Sequence, residues 1–471
     1  MADHRPYFFC GIGGSGMLPL AMIVAANGHK VSGSDRALDQ GRLSQKFDFL
    51  RAQGIALFPQ DGSGVTSPDT VVVTSTAVED TIPDVQAAKA VGARLMTRAE
   101  LLAERFNAAP WSIGVAGTSG KSTTTGMIGW ILHETGRDPT VMNGAVMKNF
   151  AHPGAPFASA LVGKSGVFVS EVDESDGSIA RYTPHVAVLN NISLDHKTMD
   201  ELRVLFRDFL GKAKVAVLNA DDVETALLAA ELPADKIITY SLRDPGANFF
   251  ATNIEPTPEG ISFAVVETWQ PGPKVVAVTI LDVPGRHNVS NALAAIASAR
   301  ACGIELLDVM NALMRFKGIK RRLETVGTVN GVMVIDDFAH NPDKIAATLN
   351  TLHDFPGRLM VLFQPHGYGP LAKMRAEFIE VFATHLHADD MLVMPEPVYF
   401  GGTVERSVTS ADIAEGIRAK GRTAQALPDR DSCGVELLAI AKSGDRIVVM
   451  GARDDTLSLF AAELLKKIAE R

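Results

Sequence analysis

Short apolar runs recur along the chain, each followed by small or polar residues and then by a longer stretch whose apolar positions return every three or four residues. The short runs read as buried strands and the longer stretches as amphipathic helices. Tyr7-Phe8-Phe9-Cys10 predicts a strand, Met17 to Asn27 a helix closed by Gly28, His29 to Asp35 a second strand end, and Thr70 to Thr74 another buried strand. The pattern repeats at Trp111 to Ala116, followed by Thr123 to Glu134 with Met127, Ile128, Ile131 and Leu132 at helical spacing. Further strands are predicted at 166–170, 185–189 and 215–218. Between about 235 and 283 the pattern changes to strand-like pieces with turn residues, such as Gly260 to Val266, which predicts an antiparallel flap on the main sheet. Asn288 to Ala301 is an Ala-rich helix closed by Gly303, and Val332 to Ile335, Leu359 to Phe363 and Arg446 to Met450 are strands separated by helical segments. Strand–helix alternation of this kind predicts an α/β chain of doubly wound layers. It divides into three blocks, 1–108, 109–316 and 317–471.

Composition changes this picture little. The 471 residues suggest about three domains, and an apolar content of 46% supplies ample core. A net charge of −9 argues against a nucleic-acid partner, because phosphate backbones reward basic surfaces. Cys10, Cys302 and Cys433 lie far apart, with no metal-ligand spacing, which suits a reducing compartment. With neither a basic-then-apolar leader nor a membrane-length apolar run, the expectation is a cytoplasmic protein without a membrane partner.

One segment moves the reading from architecture to chemistry. Gly114-Val115-Ala116-Gly117-Thr118-Ser119-Gly120-Lys121-Ser122-Thr123 leaves a predicted strand and opens a predicted helix. Small residues let backbone N–H groups close around phosphate oxygens. Lys121 is placed to reach the outer phosphates and the Ser122 hydroxyl to ligate Mg²⁺, so the segment predicts a nucleoside triphosphate site. As a loop lysine, Lys121 is expected to cost little stability when removed. Gly11-x-Gly13-x-x-Gly16, with Asp35 ending the next strand, predicts a diphosphate at a helix N-terminus. A dinucleotide and a nucleotide-sugar diphosphate would use the same turn, which leaves an NAD(P)-dependent oxidoreductase as an alternative class; the full phosphate loop argues against it. Glu171-Val172-Asp173-Glu174-Ser175-Asp176 follows the strand 166–170, where carboxylates can hold a hard cation. His196 follows the strand 185–189 and is a candidate second metal ligand or phosphate contact.

These segments, in this order, resemble the Mur ligases of bacterial cell-wall synthesis, and within them the branch that joins L-alanine to UDP-N-acetylmuramate. The resemblance runs through Phe9 to Met17, Ser32 to Asp35, the loop 117–125, Asp173 to Gly177, Val283 to Ala295, Phe316 to Arg322, Ile335 to Pro342 and Phe363-Gln364-Pro365-His366. It implies a Rossmann-like UDP-sugar domain, a central ATPase domain and a Rossmann-like C-terminal domain for the incoming amine. It implies amide formation in peptidoglycan biosynthesis through an acyl phosphate, with ATP and Mg²⁺ (or Mn²⁺), as a monomer or homodimer. Carried over by position, Lys121, Glu171 and His196 are catalytic, with Ser122, Glu171 and His196 around metal. Gly117, Thr118, Gly120, Lys121, Ser122, Thr123, Asn288, Asn291, Arg322 and Asp337 hold nucleotide. Gly11, Gly13, Gly14, Ser15, Gly16, Ser34, Asp35, Ser75, His287 and His366 belong to the substrates.

Several positions depart from the family pattern. Ser119 stands where the loop usually carries His, Phe338 where a tyrosine is common, and His340-Asn341 where His-His is usual. In His366-Gly367-Tyr368-Gly369-Pro370 the arginines by which alanine-adding enzymes grip the amino-acid carboxylate are missing. The acceptor is therefore open between L-alanine, a related amine and a preformed tripeptide, as in the recycling ligases. Glu174-Ser175-Asp176-Gly177 favours the alanine branch. A regulator that binds without turnover is a further reading, opposed by the presence of Lys121, Glu171 and His196.

Overall fold

A computed structural model describes residues 5–75, 78–194, 197–257, 260–270, 272, 274–398, 406–452, 454 and 456–471. It contains three sheets in two compact units, Met1–Ile254 with Ser262–Leu281 and Asn288–Ile319, and Glu255–Ile261 with Asp282–His287 and Lys320–Arg471.

The first sheet holds β1 (Tyr7–Cys10), β2 (Val31–Ser34), β3 (Ala56–Phe58), β4 (Val71–Thr74) and β5 (Arg94–Thr97) in the order 3-2-1-4-5, all parallel. Phe8, Phe9 and Cys10 are buried on both faces of β1, which is why the strand reads as a continuous apolar run. The strand order reverses at β1, and the turn 11–16 leaves its carboxyl end in the crevice this opens.

The second sheet holds β6 (Trp111–Ala116), β7 (Thr140–Met142), β8 (Ala160–Leu161), β9 (Val167–Glu171), β10 (Val186–Leu189), β11 (Val215–Asn219), β12 (Ile237–Ser241), β13 (Phe249–Thr257), β14 (Gly260–Glu267) and β15 (Val275–Leu281). Their order is 15-14-13-12-11-10-6-9-7-8. The strands from β12 to β7 run parallel, and β8 turns back on β7. The segment read as a flap prolongs the edge of this sheet, beginning with a short parallel pairing of β12 and β13. Side chains of the first two sheets share one core, in which Phe106 meets Phe168 and Tyr182 edge-on at 5.8 and 5.2 Å between ring centres.

The third sheet, in the second unit, holds β16 (Glu324–Val329), β17 (Val332–Asp337), β18 (Leu359–Gln364), β19 (Met391–Pro395), β20 (Thr423–Leu427) and β21 (Arg446–Gly451). The order is 16-17-21-18-19-20, parallel except for the β16–β17 hairpin.

Candidate active site

The helix after β6 begins at Lys121, two residues earlier than its apolar spacing indicates, because Gly120 with φ of +84° turns the chain directly into it. Its ladder starts with Thr124 N–H donating to Gly120 O at 2.9 Å, which sets the helix N-terminus at the end of the loop, the place where a helix favours an anion. Gly117 has φ of +125°, and a Cβ there would lie 3.0 Å from Asn191 O. That close approach has a cause. Parallel pairing of β10 with β6 brings Asn190 and Asn191 beside the loop, and Asn191 staples it. Thr118 N–H donates to Asn191 O (3.1 Å) and Ser119 N–H to Asn191 Oδ1 (2.8 Å). Thr118 Oγ1 and Ser193 N–H close a further link at 3.0 Å. Thr124 Oγ1 donates to Asn291 Oδ1 at 3.3 Å, and Asn291 Nδ2 to Asn288 Oδ1 at 3.1 Å, which puts both predicted asparagines next to the loop helix. Thr123 is buried in its first turn.

Lys121 is not an exposed loop lysine. Its Nζ donates to Gly117 O at 2.7 Å and to Glu174 at 2.9 and 3.2 Å, with 18% and 7% of the lysine and glutamate side chains exposed. Burial works against the ammonium, but Glu174, Asp173 and Glu171 outweigh it and hold Lys121 above the ordinary lysine range. Burial likewise penalises Asp173, yet Lys121 and the Ser175 N–H keep its carboxyl low. Glu174, the most buried of the three carboxylates around Lys121, is pushed up by its burial against the pull of the ammonium.

Glu171 ends β9 opposite Val115 of β6, and its Oε1 accepts from Gly144 N–H at 2.7 Å. Asn143 Nδ2 donates to Ser122 O at 2.9 Å, tying the same segment to the loop helix. Ser122 and Glu171, the two described members of the expected cation site, carry the hydroxyl and carboxylate oxygens that a hard divalent cation takes. His196 lies outside the described residues.

At the first sheet, Gly11 and Ile12 N–H donate to Ser34 O, and Gly13 N–H donates to Asp35 Oδ2 at 2.9 Å. Asp35 Oδ1 accepts from Ala37 N–H at 2.8 Å, so this carboxylate braces the turn through both oxygens. Gly14 and Ser15 are exposed, and Gly16 caps the helix Met17–Ala26. The Ser34 hydroxyl donates to buried Asp84, and Ser75 follows β4 at its carboxyl end. Two cations border the turn that sequence reasoning missed. Lys46 Nζ donates to Gly13 O at 3.2 Å. Arg98, set at a helix start by the Thr97–Glu100 capping box, packs where a Cβ on Gly16 would stand and pairs with Asp176 at 3.8 Å. Neither follows the glycine motif in sequence; the Thr-x-x-Glu cap was the only local signal.

In the second unit, Asp337 accepts from Leu323 N–H (3.0 Å) and from the Thr348 hydroxyl (2.6 Å). Arg322 lies 4.4 Å above the Phe338 ring and Arg321 5.1 Å from it, so the ring that replaces the usual tyrosine serves as a cation platform. His287 approaches the Thr351 hydroxyl at 3.5 Å, and burial holds its imidazole low. His340 hydrogen-bonds the Phe338 carbonyl through Nδ1 at 2.8 Å and meets His366 edge-on at 5.3 Å. Burial, with Lys344 adding to it, pushes His340 down to about 2. Gly367 has φ of +146°, a conformation that side chains other than glycine's rarely adopt. A network missed in the sequence ends β18 and β21: Gln364 Nε2 and Arg430 both donate to Asp454 Oδ2, at 2.8 and 3.0 Å. The polar run 451–456 after a buried strand was the signal for it.

Residues 6–109 match the family model described as "Mur ligase family, catalytic domain", 115–299 "Mur ligase middle domain", and 321–453 "Mur ligase, glutamate ligase domain". A UDP-N-acetylmuramate–L-alanine ligase of Synechococcus sp. (strain RCC307) is 34% identical over 479 residues, covering 96% of this chain and 94% of that protein. The ligase of the same name from Agrobacterium fabrum is 34% identical, covering 95% of this chain and 94% of that protein. The crystal structure of UDP-N-acetylmuramate–alanine ligase from Thermotoga maritima shares the fold, with a TM-score of 0.79 at 24% identity over 99% of both chains. A murein peptide ligase from Psychrobacter arcticus gives 0.71 at 25% identity, also over 99% of both. The chain belongs to the Mur ligase family. Among the described residues no helix is long and apolar enough to cross a membrane.

Proposed function

We propose that this protein is an ATP-dependent, ADP-forming amide ligase that joins UDP-N-acetylmuramate to L-alanine, or to a closely related amine, in peptidoglycan biosynthesis. The observation that carries the proposal is the Lys121 ammonium, held by Gly117 O and Glu174 at the head of a strand–loop–helix unit, in a chain of this family. In this reaction the sugar carboxylate takes the γ-phosphoryl group, and the amine then displaces phosphate from the acyl phosphate. Lys121 exchanges its carboxylate partner for phosphoryl oxygens and balances charge as it develops on them. Gly117, Thr118, Gly120 and Thr123 supply the backbone cradle, and Asn288 and Asn291 position nucleotide.

Ser122, Glu171 and His196 would hold the divalent cation, Mg²⁺ or Mn²⁺, which when bound neutralises phosphoryl charge. Residues 1–108 take the UDP-sugar through Gly11, Gly13, Gly14, Ser15, Gly16, Ser34, Asp35 and Ser75. Residues 109–316 take ATP, and residues 317–471 take the amine, with His287 and His366 toward substrate and Arg322 and Asp337 toward nucleotide. The reading places the protein in the cytoplasm, working on small molecules.

A phosphate-release screen with UDP-N-acetylmuramate and a panel of amines, including L-alanine and the cell-wall tripeptide, tests it. Release that requires both the UDP-sugar and an amino acid is expected. Release with the tripeptide alone would transfer the chain to the recycling branch, and no release with any amine would overturn the ligase reading.

A further inference from the structure

Asp390 immediately precedes β19 and is buried, yet its carboxylate gathers donors from three directions. Oδ1 accepts from Leu359 N–H, at the start of β18, at 2.7 Å. Oδ2 accepts from His387 N–H at 2.7 Å and from His353 Nε2 at 2.8 Å. His353 closes the helix Pro342–His353, and His387 lies in the connection between the helix Arg375–His385 and β19. The two imidazoles lie face to face, with 3.6 Å between ring centres and 17° between ring planes. One ligand atom from each of His353, His387 and Asp390 lies within 4.8 Å of the others. A carboxylate that only tied β18 to β19 would need the two backbone N–H groups and neither ring. Here those N–H groups fix the carboxylate, as contacts behind a metal ligand do, and two ring nitrogens are brought up beside it.

We propose that His353, His387 and Asp390 form a transition-metal site that takes Zn²⁺, with water completing a four-coordinate ion on the exposed side. Two imidazole nitrogens and one carboxylate oxygen suit a borderline ion, whereas Mg²⁺ and Ca²⁺ take larger sets of oxygens. Bonds of about 2.0–2.1 Å at tetrahedral angles set ligand atoms about 3.3 Å apart. His353 Nε2 and Asp390 Oδ2, now 2.8 Å apart, part by about half an ångström as the ion replaces the proton between them. His387 is exposed, so its ring turns in without disturbing the core. Two guanidinium groups whose charge reaches Asp390 are engaged elsewhere. Arg358 pairs with Asp445 at 2.6 Å, and Arg446 donates to the carbonyls of Leu352, Phe355 and Gly357. Leu359 opens β18 and Gln364 ends it, about 17 Å further along at roughly 3.3 Å per residue, so the site stands at the opposite end of the third sheet from His366. The ion clips the end of the helix Pro342–His353 to the start of β19, and its effect is on the stability of the second unit.

Calorimetric titration of the metal-free, full-length chain with Zn²⁺ tests the proposal, with Mg²⁺ in excess to occupy the cation site at the phosphate loop. The wild type should bind one Zn²⁺ per chain at this site with a Kd of about 10 µM or below. His387→Ala removes an exposed ligand and should weaken that binding about a hundredfold or more, since even a residue that only orients a metal ligand is worth ten- to a hundredfold. His353→Gln keeps a donor for Asp390 but loses the ring nitrogen, and should lose the ion as well. Glu171→Gln, at the phosphate-loop site, should bind Zn²⁺ here as the wild type does. Saturating Zn²⁺ should raise the Tm of the wild type and leave that of His387→Ala where it was. Far-UV circular dichroism checks folding, and the exposed His387 keeps the test decisive if His353→Gln does not fold. Binding only at millimolar Zn²⁺, binding that survives His387→Ala, binding lost in Glu171→Gln, or a wild-type Tm unmoved by Zn²⁺ would overturn it.

Discussion

Replacing Lys121 by alanine separates two roles carried by one ammonium group. In the folded protein Nζ lies 2.9 Å from Glu174 and 2.7 Å from Gly117 O, largely out of water. Truncation strands Glu174 beside Asp173 without its own cation, and removing one partner of a buried pair costs about 3–5 kcal/mol. For a unit of this size, at roughly 2 °C per kcal/mol, Tm should fall by roughly 6–10 °C at neutral pH. The cost has a definite pH dependence. Burial already raises the Glu174 carboxyl against the pull of Lys121, and loss of the ammonium raises it further. A carboxyl whose folded pKa exceeds its unfolded one is harmless below the unfolded value and destabilising once pH rises through the folded value. The Tm gap between wild type and Lys121→Ala should therefore widen as pH rises from the ordinary carboxylate range to neutral and beyond. Adding Glu174→Gln removes the stranded charge and should recover most of the Tm. Phosphate release should stay about 10²–10³-fold down, because charge on the transferring phosphoryl group is still unbalanced. Scanning fluorimetry across pH and a phosphate-release assay read the two quantities separately. A Lys121→Ala protein that melts with wild type at neutral pH, or a double variant that regains turnover, would refute the reasoning.

Glu171→Ala should raise the Mg²⁺ or Mn²⁺ concentration needed for half-maximal turnover about tenfold or more; an unchanged metal titration moves that ligand elsewhere, with Glu174 the next carboxylate. His340, held near 2, stays neutral in the folded protein while its unfolded imidazole takes up a proton below about 6.5. Its stabilising share is thus present above that value and lost as pH falls, so the melting gap between wild type and His340→Asn should shrink from neutral pH toward pH 5, by at most about 2 kcal/mol; a gap independent of pH contradicts this. Free L-alanine should saturate poorly, since a missing charge-assisted carboxylate contact is worth about 1.5–3 kcal/mol, roughly ten- to a hundredfold in affinity. Pro370→Arg should improve its use, and a wild type saturated at micromolar L-alanine defeats the expectation.

The strands and the phosphate loop were legible because their signals are local. Apolar runs mark β1, β6, β10 and β18, and Gly117, Gly120, Lys121 and Ser122 sit next to one another in sequence. The partners that give the site its electrostatics are distant. Glu174 reaches Lys121 from 53 positions away, and Asn191 staples Ser119 from 72. An asparagine after a strand has no periodicity to announce it, and an acidic run looks alike whether solvated or paired. For the same reason Lys121 read as exposed: the loop's composition is that of a surface turn, and only the convergence of β6, β9 and β10 buries it. The attachment of β13–β15 to the second sheet was legible from their strand-like pieces, whereas the parallel pairing of β13 with β12 was not, because a strand's residue period does not say which way its neighbour runs.

The segment 366–370 shows how the two kinds of information combine. Its sequence reveals missing guanidinium groups, which alone suggests that two substitutions to arginine would rebuild a carboxylate clamp. The backbone excludes that simple reversal. Gly367, at φ of +146°, heads the short helix Tyr368–Lys373, and a side chain held in such a conformation costs about 1–3 kcal/mol. Arginine at 367 would strain the turn that sets His366 beside His340, and so disturb the site it was meant to repair. The departure is therefore one of local chain path as well as side-chain chemistry. Position 370 lies within that helix and makes no such demand on φ, so Pro370→Arg isolates the charge from the backbone. If that single change improves alanine use while Gly367→Arg lowers both stability and turnover, the lost contact and the altered turn are separate adaptations. If Gly367→Arg is tolerated and improves alanine use on its own, the turn has no need of glycine and the argument from its backbone fails.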